Sequence, residues 1–256
     1  MHVDVPTEVL VGLLMATIRT ASWLLLAPPF SHRAIPAPVK ALLAVGLGLA
    51  VMPELPASMR GSGLDAGVLA VATAQEVLVG SGLGFLCMVV FAAVKAAGDL
   101  LDMFGGFTMA FSVDPQTGGS GSVLGRTYQL TALALLFASN AHLLVLGGLL
   151  RTFEVLPVGQ LLDLGVLART LTAAMGGMFL AALQIAGPLI AVLFLADVGL
   201  GLLTRVAPAL NAFILGFPLK ILITLVIVAL SFSALPHVVD GLADEAVRLF
   251  VGVARS

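Results

Sequence analysis

One cysteine, one tryptophan and one tyrosine stand in 256 residues, and only 10% of the side chains are charged. The single thiol, Cys87, excludes any disulfide within the chain, and its setting in the run GFLCMVVF reads as a small core hydrophobe. Twelve Lys and Arg against 14 Asp and Glu form no basic cluster, which excludes the dense cationic face that nucleic acid rewards. Histidine is equally sparse. His2, His32, His142 and His237 fall at no short ligand spacing with one another or with Cys87, so neither a metal site nor a cofactor is expected. The start of the chain, MHVDVPTEVLVGLLMATIRT, lacks the basic region and small-residue cleavage site of a signal peptide, so its apolar segment is expected to be retained. Cations are too thinly spread over the loops to orient the chain across a membrane.

What fills the chain instead is apolar. Hydrophobic residues make up 60% and the mean hydropathy is +1.14, which predicts an all-α integral membrane protein. Uncharged runs at 171–196 (26 residues), 130–150 (21 residues) and 221–239 (19 residues) approach or exceed the roughly 20 residues that cross a bilayer. Three further segments are interrupted or short: 9–27 with Arg19, 39–52 beside Lys40, and 66–94 with Glu76. The expectation is about six long apolar helices, facing lipid or partner subunits.

Breakers punctuate them. Pro28, Pro29, Pro36 and Pro38 divide the first two segments, and 53–63 precedes the third. The third helix is predicted from near Leu64 to about Asp102, some 39 residues and longer than one hydrocarbon thickness, with a break at Gly105-Gly106 and a new helix near Val123. Residues 157–165 separate a first part from a second, which reads as two long helices joined through 197–208, followed by an amphipathic tail from His237.

Charges inside apolar helices require a reason, because each costs about 2.5 to 3.5 kcal/mol at a bilayer centre. Lys95, Asp99 and Asp102 are four and three apart, on one helical stripe where Lys95 can pair with a carboxylate. Phe104, Phe107 and Phe111 would lie roughly 150° away if the helix continued. Two readings stand at this point: a charged face toward water or a partner with an aromatic face toward a passage, or a helix end leaving the membrane with ordinary core packing. The stretch 103–122, MFGGFTMAFSVDPQTGGSGS, sets aromatic and Met residues beside a Gly-Ser tract and is a candidate gate.

No enzyme motif survives inspection. A phosphate loop around Gly125 would need glycine at Ser120 and lysine at Arg126, and no strand precedes it. Asp99 and Asp102 share one helix with a lysine, which does not make a proton-sharing dyad, and no G-x-S-x-G occurs. A small-solute carrier with Gln184, Pro188 and Asp197 lining its site stays open, although corresponding interruptions in two related halves are missing.

Several motifs taken together resemble the family of the flagellar biosynthetic protein FliR and its injectisome counterparts. These are Glu76-Val77-Leu78-Val79-Gly80 to Gly84-Phe85, Ala97-Gly98-Asp99 to Asp102-Met103, Gly106-Phe107 and Val113-Asp114-Pro115. Asn140-Ala141-His142, Phe153 to Pro157-Val158-Gly159, and Arg205, Pro208, Asn211, Gly216-Phe217-Pro218 and Lys220 extend the likeness over nearly the whole chain. The resemblance implies a non-catalytic core subunit of the type III export gate in the bacterial inner membrane, at the flagellar basal body. Its partners would be FliP-like, FliQ-like and FlhB-like subunits and the exported polypeptides in transit. Residues 1–160 would be a FliP-like part and 161–256 a FliQ-like hairpin with its tail, wound into a helical pore complex. The pore plug falls on 105–122, with Phe107, Met109 and Phe111 as seal and Gly118, Gly119 and Gly121 as hinge. Glu76, Lys95, Asp99, Asp102, Arg205 and Lys220 are expected to govern assembly as buried or pairing charges.

Overall fold

The computed structural model describes residues 6–51, 66–107, 122–160, 162–206 and 212–255, with the side chains of 212–215 left out. Among the described residues there are eight helices and no strand. They are α1 (Thr7–Leu26), α2 (Ala37–Val51), α3 (Ala66–Gly105), α4 (Val123–Ala138), α5 (Ala141–Val155), α6 (Leu164–Val206), α7 (Ala212–Ser231) and α8 (Leu235–Ala254). The protein is an all-α membrane protein. Helices α1, α3 and α6 are long and apolar enough to cross a membrane, and five spans result if α4 with α5, and Gly216–Ser231 with α8, each count as one broken span.

The six hydropathy segments map onto eight helices because two of them break. Residues 130–150 are interrupted at Asn140, whose φ of 60° lies in the left-handed region that Asn tolerates better than most side chains. Residues 221–239 are interrupted at 232–234. Neither break removes an apolar residue, so hydropathy runs straight across both. Helix α3, 40 residues and about 60 Å long, begins and ends close to the predicted limits. Its end is set by Gly106, with φ +82°, a conformation that costs glycine nothing and strains other residues. Helix α6 carries Pro188 in its interior and runs on to Val206, so Asp197 lies on a helix and not in the expected connection; no further proline stands between Asp197 and Pro208.

The chain divides into two compact units. The first comprises Met1–Val90, Asn140–Met175 and Gly241–Ser256. Its core gathers Met15, Ala16, Ala72, Phe153 and Val158, with Val11, Val51 and Leu69 packed against them. Trp23 is fully buried against Phe30 (5.8 Å between ring centroids) and edge-on to Phe250 of α8 (6.2 Å, 86°). Helix α3 presses so closely on α1 that a Cβ added at Gly80 would stand 2.2 Å from the Arg19 carbonyl oxygen. Small residues permit this approach between apolar helices, where packing and hydrogen bonding replace the hydrophobic effect.

The second unit comprises Phe91–Ser139 and Gly176–Asp240. Here α3 meets α4 through two glycines, a Cβ on Gly98 falling 2.6 Å from the Gly125 Cα. Tyr128 of α4, fully buried, shares a 2.5 Å hydrogen bond with Ser231 and tilts over Phe232 at 5.5 Å. Large apolar side chains stand exposed on α6 and α7, among them Phe179, Phe194, Leu195, Leu222 and Leu230. So much uncovered apolar surface calls for lipid or protein to cover it.

Candidate functional site

Arg19 of α1 and Glu76 of α3 each interrupt an apolar helix with a charge, and the fold cancels one with the other. Both are fully buried. Arg19 Nε donates to Glu76 Oε2 at 2.5 Å and Nη2 to Oε1 at 3.1 Å, a bidentate pair whose planar fork matches a carboxylate. The remaining capacity is used by the turn after α5. Arg19 Nη1 donates to the Leu156 carbonyl at 2.8 Å, and Glu76 Oε1 accepts from the Gly159 amide at 2.8 Å. The Phe153 ring lies 4.4 Å beneath the guanidinium carbon, in cation–π range. One ion pair thereby joins α1, α3 and the 156–159 turn.

A second cluster lies where α3 ends and α4 begins. Lys95 and Asp99 pair at 2.7 Å, as their spacing anticipates, and both are exposed (47% and 39%). Such a pair contributes about 0.3 to 0.5 kcal/mol. Asp102 behaves differently: it is buried, and its Oδ2 accepts from the Leu124 amide at 3.1 Å. Ser122 caps the same helix by accepting from the Gly125 amide at 2.7 Å. The carboxylate therefore takes up one of the first-turn amides of α4 that no carbonyl of its own helix can reach. Beyond α3, Phe107 is half-buried. In the same unit Lys220 of α7, largely buried, pairs with exposed Asp197 of α6 at 2.9 Å.

The family described as bacterial export proteins, family 1, matches residues 10–246. The chain belongs to that family. Among similar proteins, this export protein is 33% identical over 242 residues to the flagellar biosynthetic protein FliR of Escherichia coli (strain K12), covering 92% of this chain and 90% of the relative. The flagellar biosynthetic protein FliR of Bacillus subtilis (strain 168) is 32% identical over 227 residues, or 87% and 86% of the two chains. The secretion system apparatus protein SsaT of Salmonella typhimurium is 31% identical over 238 residues, 90% of each.

In this export protein the site residues read from the sequence separate into groups. Met109, Phe111, Gly118, Gly119 and Gly121 lie outside the described residues. Asp99 and Asp102 come together at the first turn of α4, and the exposed Lys95 pairs with Asp99. Arg205 is exposed in the last turn of α6, where a cation complements the carbonyl end of a helix. Gln184, Pro188 and Asp197 of α6 are all exposed. Arg19 and Asp197 are partners, of Glu76 and Lys220 respectively, that sequence reasoning missed. For Arg19 a signal existed: it is the lone charge of the apolar segment 9–27 and Glu76 that of 66–94, and two such charges of opposite sign have reason to meet.

Proposed function

We propose that this chain is a core subunit of the flagellar type III protein export gate, forming with FliP-like and FliQ-like subunits a pore through which unfolded flagellar proteins leave the cell. The observation that carries this is the family match across residues 10–246, reinforced by relatives named as flagellar biosynthetic proteins along about nine-tenths of their length. The gate sits in the bacterial inner membrane at the flagellar basal body, and an FlhB-like subunit joins it. Residues 1–160 form the FliP-like part and 161–256 the FliQ-like hairpin and tail. The bare apolar faces of α6 and α7 suit a chain whose helices are covered by neighbours and lipid. No chemical step is assigned to it: its work is to bound a passage. Phe107, Met109 and Phe111 form the apolar seal of that passage, and Gly118, Gly119 and Gly121 let it give way. An injectisome gate is the second reading, supported by the similarity to SsaT, and the neighbouring genes distinguish the two.

Affinity purification of the tagged chain from its native membrane tests the assignment. Two other small hydrophobic proteins should co-purify in fixed ratio. Recovery of the chain alone, with solute uptake when it is placed in vesicles, would sink the gate reading and restore the carrier.

A further inference from the structure

We propose that Asp102 is a positioning residue that ties together the two ends of the 107–122 segment, and that it acts as a hydrogen-bond acceptor and not as a charge. The tie itself stands on described residues. Only its consequence for permeability rests on the plug reading above.

The two ends are built for contact. Helix α3 stops at Gly105, and Gly106 turns the chain away with φ +82°. Helix α4 starts after Ser122, which satisfies the Gly125 amide from within its own helix. The Leu124 amide is satisfied from outside, by the Asp102 carboxylate reaching across 22 positions of sequence. One turn before Asp102, Gly98 lies against Gly125, and the Asp99 Oδ1 occupies the space where a Gly125 side chain would be. Backbones at this distance leave no room for a side chain to act as spacer. A hydrogen bond from α3 to a free N–H of the first turn of α4 then sets the register in which the glycines meet.

The acceptor role follows from what surrounds the carboxylate. Asp102 Oδ2 holds the Leu124 amide, whereas Oδ1 is buried without a hydrogen-bond partner among the described residues. The cation on the same stripe, Lys95, is engaged by Asp99. An asparagine carbonyl placed in the same rotamer would meet the same N–H without the charge. The segment between Gly106 and Ser122 thus works between two ends held at a set separation.

Spin labels on Met103→Cys and Val123→Cys, both exposed sites, in a Cys87→Ala background of the full assembled complex read that separation. Asp102→Ala should widen the distance distribution about twofold, as expected when a local tie is released. Asp102→Asn and Ser122→Ala should keep the original width. Should the alanine variant fail to accumulate, Asp102→Ser, too short to reach Leu124, gives the same reading. An unwidened distribution in Asp102→Ala overturns the tie, and widening in Asp102→Asn equal to that of the alanine variant overturns the acceptor role. Permeability is scored separately on the same variants: failure of a Phe107, Met109 and Phe111 triple alanine variant to leak sinks the plug reading while the distance result still decides the tie.

Discussion

Glu76→Leu is expected to deplete the chain from the membrane fraction. The substitution leaves Arg19 buried with its carboxylate gone and also strips the Gly159 amide of its acceptor. Breaking a buried pair from one side costs about 3 to 5 kcal/mol, because the surviving charge has neither water nor counter-ion. Against a total stability of about 5 to 15 kcal/mol, that is enough to empty the folded population of a marginal protein. Arg19→Leu should be as harmful, since it orphans Glu76 and the Leu156 carbonyl and removes the cation over Phe153. The double variant Arg19→Leu/Glu76→Leu should recover part of the loss. It restores electrical balance in an apolar site, though not the two hydrogen bonds to the 156–159 turn. Lys95→Ala, which breaks an exposed pair, should cost under about 1 kcal/mol. Membrane-fraction abundance and unfolding in detergent across these variants check the order, and a double variant no better than either single one would contradict the pairing.

Truncating Phe107, Met109 and Phe111 together to alanine is expected to make resting cells leak ions and small solutes. An apolar constriction holds back water and ions because wetting it is unfavourable, and it stays displaceable because its contacts are many but weak, about 0.1 to 0.2 kcal/mol per atom pair. Fully burying a side chain of this size is worth about 1.5 to 3 kcal/mol. As about 1.4 kcal/mol is a factor of ten, losing three of them should raise leakage at least roughly tenfold. Deleting 118–121 should act in the same direction by shortening the segment that carries the seal. Uptake of a small impermeant dye by cells with normally assembled complexes measures this, and unchanged uptake would remove the plug from the account.

Much of the architecture could be read from the chain because its signals are local. The absence of proline between 66 and 105 and the Gly105-Gly106 pair gave α3 nearly its full extent, and the Gly-Ser tract before Val123 gave the start of α4. The stripe of Lys95, Asp99 and Asp102 was also legible as a stripe, since helical spacing alone creates it. Its partners were not. Asp102 reaches Leu124, and Glu76 reaches Arg19 over 57 positions, by the packing of helices against each other, which no periodicity within one helix reveals. The break at Asn140 was hidden for a related reason: it lies in one backbone dihedral and leaves the hydropathy of 130–150 unchanged. Asp197 was placed in a connection running to Pro208, yet the helix continues through Gly199 and Gly201 to Val206.

The central claim is that this chain forms part of the gate through which flagellar proteins are exported, and its most direct test is secretion from cells in which the gene is deleted. Flagellar proteins destined for the cell exterior should accumulate in the cytoplasm and vanish from the medium, and a plasmid copy of the chain should restore them. Undiminished secretion of those proteins by the deleted strain would contradict the account.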